Sequence, residues 1–234
     1  MKLTRILLAL GLFGIAFGYV EAAVVAYLRT IYVPIRHATF QAVANDDLFP
    51  LLQVEHLHAA GPQYVRLLRM ELGRELATLV MLAAAGLAIG RSFREWLAGF
   101  MIAFGIWDIF YYVFLKLLLG WPASLWTWDI LFLLPVPWVG PVIAPVLVSL
   151  SMIVAGVVVL WRESRGRPVH CGRLHWFLIA LGGLVVIAAF GWDFQNTAAG
   201  GWPNPFNWPL FTLGEAIGVA GFVHALGCRR DCPC

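Results

Sequence analysis

Residues 105–145 read GIWDIFYYVFLKLLLGWPASLWTWDILFLLPVPWVGPVIAP. Up to Gly120 this run is apolar enough to cross a bilayer, yet it carries Asp108, Tyr111, Tyr112 and Lys116. Gly105, Asp108, Tyr112 and Lys116 fall on one stripe of a helix, so the polar groups face one direction. Ionisable side chains in hydrocarbon are costly and turn toward protein or enclosed water. At 1.5 Å rise per residue Asp108 lies about 18 Å below Gly120, near the bilayer midplane. Beyond Gly120, Pro122, Pro135 and Pro137 prevent a continuous span, while Trp121, Trp126, Trp128 and Trp138 suit the membrane interface. Asp129 is positioned to cap a short helix over 130–134. The expectation is a re-entrant or interfacial half-helix before the fourth span.

The rest of the chain has the same character. Of 234 residues, 61% are hydrophobic and 12% charged, with a mean hydropathy of +0.82. That leaves too little polar surface to cover a soluble domain of this length. The pattern predicts a single integral membrane domain over 1–234, an all-α polytopic bundle of six transmembrane helices at about 3–28, 63–90, 96–120, 141–161, 175–192 and 209–227. An outer loop over 29–62 and a cysteine-rich tail over 228–234 complete it. The net charge of +3 is scattered over short loops, which argues against nucleic acid as a partner and leaves the lipid bilayer, with other membrane subunits as candidates.

On the first helix Gly11, Gly14, Gly18 and Glu21 share a face, and Gly14/Gly18 is a GxxxG pair suited to close contact. Val20-Glu21-Ala22 resembles a signal-peptide cleavage site, but the apolar run continues through Val24, Val25 and Tyr27, so the helix is expected to stay. On the second, Glu71, Glu75 and Thr78 share a face, with Arg66, Arg69 and Arg74 as partners for them. The fifth lacks internal charges and reads as a lipid-facing wall. The sixth has a second GxxxG pair, Gly214/Gly218, beside Glu215. In the outer loop His56 and His58, two residues apart, share a face only in an extended chain, which makes them a weak metal signal.

Loop charges set an orientation. Arg91/Arg94, the loop with Arg162, Arg165, Arg167 and Arg173, and Arg229/Arg230 alternate with two loops free of Lys and Arg. The expected result is a bacterial-type cytoplasmic (inner) membrane protein with both termini cytoplasmic, with the arginines between 29 and 74 as the exception. This topology brings Glu21, Glu75 and Glu215 to about 5–10 Å inside the outer boundary, with Asp108 deeper. Carboxylates gathered in a low-dielectric region must be protonated, paired or bound to a cation. The expectation is an outward-facing acidic pocket that binds or passes a proton, metal ion or small polar ligand. Asp108, Glu21, Glu75 and Glu215 are its acids, Lys116 its counter-ion, and Tyr111 and Tyr112 its hydrogen-bonding or proton-relaying groups.

Two alternatives stand beside it. One is a structural or assembly subunit of a larger membrane complex. The other is a membrane enzyme acting on a lipid or quinone headgroup, with carboxylates as general acid or base. No GxxxxGK[ST], HExxH or Ser/His/Asp arrangement marks catalytic residues, so none is assigned. Cys171, Cys228, Cys232 and Cys234 all fall on the cytoplasmic side, where thiols stay reduced. Together, or with a histidine, they can form a tetrahedral site for zinc or another soft metal, although CxxxCxC is not a standard ligand knuckle. Membrane-proximal cysteines are also candidates for lipidation.

Overall fold

The computed structural model describes residues 3–40 and 48–228. Six of its helices are long and apolar enough to cross a membrane, and the chain is an all-α polytopic integral membrane protein. In order the elements are α1 (Leu3–Thr39), α2 (Val54–Ala60), α3 (Pro62–Ile89), α4 (Phe93–Leu119), β1 (Trp128–Phe132), β2 (Trp138–Pro141), α5 (Ile143–Ser164), α6 (Arg173–Phe190), α7 (Phe194–Ala198) and α8 (Trp208–Gly227).

Local chemistry sets the boundaries. Pro62 occupies the first turn of α3, where its missing N–H costs nothing. The Ser92 side chain caps α4 by accepting the Glu95 N–H. That helix closes at Gly120, whose φ of +69° is left-handed and favours glycine. Lys116 reinforces the same end, its Nζ donating to the Gly120 and Pro122 carbonyls at 2.8 and 2.9 Å. The first helix runs past position 28 to Thr39, with Pro34 inside it. Near its end the buried Arg36 donates to the Leu48, Phe49 and Pro50 carbonyls, which fastens the segment before α2 to the helix.

The half-helix expected over 130–134 is corrected: those residues lie in or just past β1 of a two-stranded antiparallel hairpin. Trp128 pairs with Pro141, Asp129 with Gly140, Ile130 with Val139 and Phe132 with Trp138. The physical reason is that Trp, Ile, Phe and Val pack well on a pleated surface, while Pro135 and Pro137 leave too little unbroken chain for a helix. Asp129 therefore does not cap a helix. Its partner is Tyr112.

The long helices form two groups. Helix α4 is the centre of the first, packed by α1, α3 and α5. Gly18 of α1 lies so close to α4 that a Cβ there would be 3.0 Å from the Trp107 carbonyl oxygen and the Tyr111 nitrogen. The second group is the α6/α8 pair, joined to the rest through β2 and α5. At its crossing a Cβ on Gly182 would sit 2.5 Å from the Gly218 nitrogen. Both GxxxG pairs read from the sequence thus face a neighbouring helix.

Candidate functional site

Between the two groups lies a cavity of about 1450 Å³. Its walls are mostly aliphatic and aromatic, contributed by α3, α4, α5, α6 and α8. Most of its polar lining comes from the C-terminal halves of α1 and α4, from α3 and from β1.

Helix α1 delivers Glu21, which is 3% exposed. Its Oε1 accepts the Thr78 hydroxyl at 2.9 Å, and its other oxygen is ion-paired with Arg74. The same guanidinium binds Glu71, with Nε donating to Oε2 at 2.9 Å and a second contact to Oε1. One cation is therefore shared by two carboxylates. A turn further along α3, both oxygens of Glu75 face the Leu133 N–H at 3.0 Å, which ties the helix to the hairpin.

From α4, Asp108 accepts the Ser149 hydroxyl of α5 at 2.8 Å. Tyr112 donates to Asp129 Oδ2 at 2.8 Å. Burial pushes the Asp129 carboxyl up to about 6, against the Tyr112 hydrogen bond, the Arg29 charge and the Ile130 N–H, which act to lower it. Tyr111 stands among Asp129, Arg29, Arg74 and Glu71. Across the cavity, Ser151 of α5 donates to Glu215 of α8 at 2.8 Å.

Of the residues singled out in the sequence, Glu21, Glu75, Asp108, Glu215, Tyr111 and Tyr112 all line this one cavity. Lys116 does not line it and is exposed, and the cation beside Glu21 is Arg74. Sequence reasoning missed Asp129 as a pocket acid, Ser149 as the partner of Asp108, and Arg29, whose guanidinium lies 3.9 Å over the Trp121 ring. Strand alternation in 128–132, which separates Asp129 from its neighbours by face, was the signal that could have found the first. The other two depend on helix pairing, which a single sequence does not encode locally.

At the opposite end of the helices, His175, His224 and Cys228 have ligand atoms within 4.8 Å of one another. His175 Nε2 is 2.9 Å from His224 Nδ1 and 3.7 Å from the Cys228 sulfur. However, His175 Nδ1 accepts the Gly172 N–H at 2.9 Å. A neutral imidazole holding that bond carries its proton on Nε2 and donates it to His224, leaving His175 no lone pair for a metal. Cys228 is disulfide-bonded. Cys171 is a free thiol on the cavity lining, outside the His175 group. Cys232 and Cys234 lie outside the described residues. His56 accepts the Gln53 N–H at 3.2 Å and caps α2.

The chain matches no protein-family model, no curated protein and no solved structure.

Proposed function

We propose that this membrane protein takes an amphiphilic molecule from the bilayer into the cavity and holds its polar head at the carboxylate and tyrosine cluster. The observation that carries this reading is the cavity itself, about 1450 Å³ with apolar walls and an ionisable end. A proton or a bare metal ion needs a few oxygen ligands at short range, which a cavity of this size and lining exceeds. Apolar space of this kind is filled by hydrocarbon in preference to water. Entry is lateral, between α3 and the α6/α8 pair, since α3 packs on α2 and α4 and the pair packs on itself. The acids then serve either to grip the head during passage or to move protons during chemistry on it. With the termini on the cytoplasmic side of a bacterial-type inner membrane, as the loop charges favour, the cluster lies in the outer leaflet.

Filling the cavity tests this. A Cβ at Gly183 meets nothing within 4 Å, and both Gly183 and Ala155 line the cavity. Wild type, Gly183→Trp and Ala155→Trp are extracted in the same mild detergent, and bound amphiphiles are quantified by mass spectrometry. The expected result is about one molecule of a defined class per wild-type chain, with at least a fivefold loss in both variants. Equal amounts in all three, or only the average lipid mixture of the membrane, overturns the reading.

A further inference from the structure

We infer that the head held by this site is uncharged and carries an oxygen, hydroxyl or carbonyl, that accepts the indole N–H of Trp107; this rests on the reading of the cavity as an amphiphile site. Trp107 is 7% exposed and lines the cavity, and its N–H has no acceptor among the described residues. A buried donor without a partner is costly, and an acceptor brought in by a ligand removes the cost.

The surroundings of the indole place it where a head oxygen belongs. Trp107 packs against the rings of Phe104, Phe17 and Tyr111, with centroids 5.2, 6.2 and 6.3 Å away. Only one of the three carries a polar atom, so a water beside the N–H would have few partners to hold it. An oxygen at the end of an apolar chain is held instead by the hydrocarbon behind it. The wall for that hydrocarbon continues along α4, where Phe104 and Phe100, one and two turns before Trp107, also line the cavity with their rings 5.7 Å apart. In the other direction Tyr111 leads to the polar cluster. Its ring is 5.1 Å from that of Tyr112, which donates to Asp129. Trp107 thus stands where the apolar wall meets the polar end.

The charges of the lining select an uncharged head. Arg74 pairs with Glu21 and Glu71 and neighbours Glu75, and Arg29 neighbours Asp129. Protons meet what remains, so the acids ask for no added cation. An ammonium head has donors only and leaves the Trp107 N–H without a partner. A carboxylate or phosphate head accepts, but it brings a further anion into an enclosure that already holds Glu21, Asp108 and Asp129. A hydroxyl or carbonyl oxygen accepts without that cost.

The test uses the full chain, labelled with nitrogen-15 tryptophan, in dodecylphosphocholine micelles, whose detergent carries neither hydroxyl nor carbonyl. It is titrated separately with 1-dodecanol, 2-tridecanone, dodecylamine and dodecane. An indole proton resonance moves downfield when its N–H finds an acceptor. Trp107→Phe and Trp107→Tyr each identify the signal by its loss, and two variants guard against one failing to fold. Trp121, whose N–H is also buried without an acceptor among the described residues but which does not line the cavity, is the internal reference. The expected result is a saturable downfield movement of the Trp107 signal with the alcohol, the ketone or both. It should occur at a mole fraction about tenfold below any movement by the amine, as regaining one buried hydrogen bond implies. Dodecane should not move it, and Trp121 should stay in place throughout. Whichever of the alcohol and the ketone saturates first distinguishes a hydroxyl head from a carbonyl one. Equal movement with the amine or with dodecane overturns the acceptor head. So does no movement with any probe, and the count of amphiphiles bound to wild type and Gly183→Trp then shows whether the amphiphile reading falls with it.

Discussion

Arg74 shows what one side chain does in this molecule. It is the cation for Glu21 and Glu71 together, and Glu21 is buried. Removing one partner of a buried pair leaves an uncompensated charge, which typically costs about 3–5 kcal/mol. Arg74→Met is therefore expected to lower the midpoint of thermal unfolding in detergent by several degrees, and adding Glu21→Gln should recover part of that loss. Asp129 makes a pH prediction. Its folded value is about 6, above the roughly 3.9 of a free aspartate. The stability it contributes is fully present below about 3.9 and is lost as the pH rises through about 6. Wild type should thus unfold at a lower temperature at pH 7 than at pH 5, and the difference should shrink in Asp129→Asn. An unchanged pH slope in that variant would show that Asp129 does not titrate there. Glu21, Glu75 and Asp108 were legible as costly carboxylates because each sits inside a long apolar run. Asp129 was not, since it occupies a short segment whose secondary structure the prolines left ambiguous.

Among the elements, the spans were readable from hydrophobic runs of about 20 residues, which few soluble structures require. The hairpin β1/β2 was not, because five strand residues followed by prolines carry little periodicity and the deciding contacts are distant. One of these is Gly140, where a Cβ would lie 3.1 Å from the Phe190 ring of α6. The extension of α1 beyond position 28 is accompanied by Arg36 reaching the carbonyls of Leu48, Phe49 and Pro50, again a long-range contact. The α6/α8 crossing gives an element-level prediction. A Cβ on Gly182 would be 2.5 Å from the Gly218 nitrogen, whereas one on Gly183 meets nothing within 4 Å. Gly182→Ala should cost about 1–3 kcal/mol through separation of the helices, measured as a lower unfolding midpoint. Gly183→Ala should stay within about 0.5 kcal/mol. Equal effects would mean that the close crossing is not what holds the pair.

At the scale of the whole molecule, the arrangement follows from two well-packed helix groups that meet along few surfaces. The group centred on α4 carries most of the acids, and the α6/α8 pair supplies an apolar wall and Glu215. Neither group alone encloses the cavity, so the site is a property of their assembly and only its ingredients were visible in the sequence. The most direct test of the account is an experimental density map of the protein in lipid nanodiscs, with a bound antibody fragment to provide mass for alignment. The account predicts elongated density between α3 and the α6/α8 pair, with its polar end against Tyr111, Glu75 and Asp129. A map in which α3 closes against α6 and α8, leaving no cavity, would contradict it.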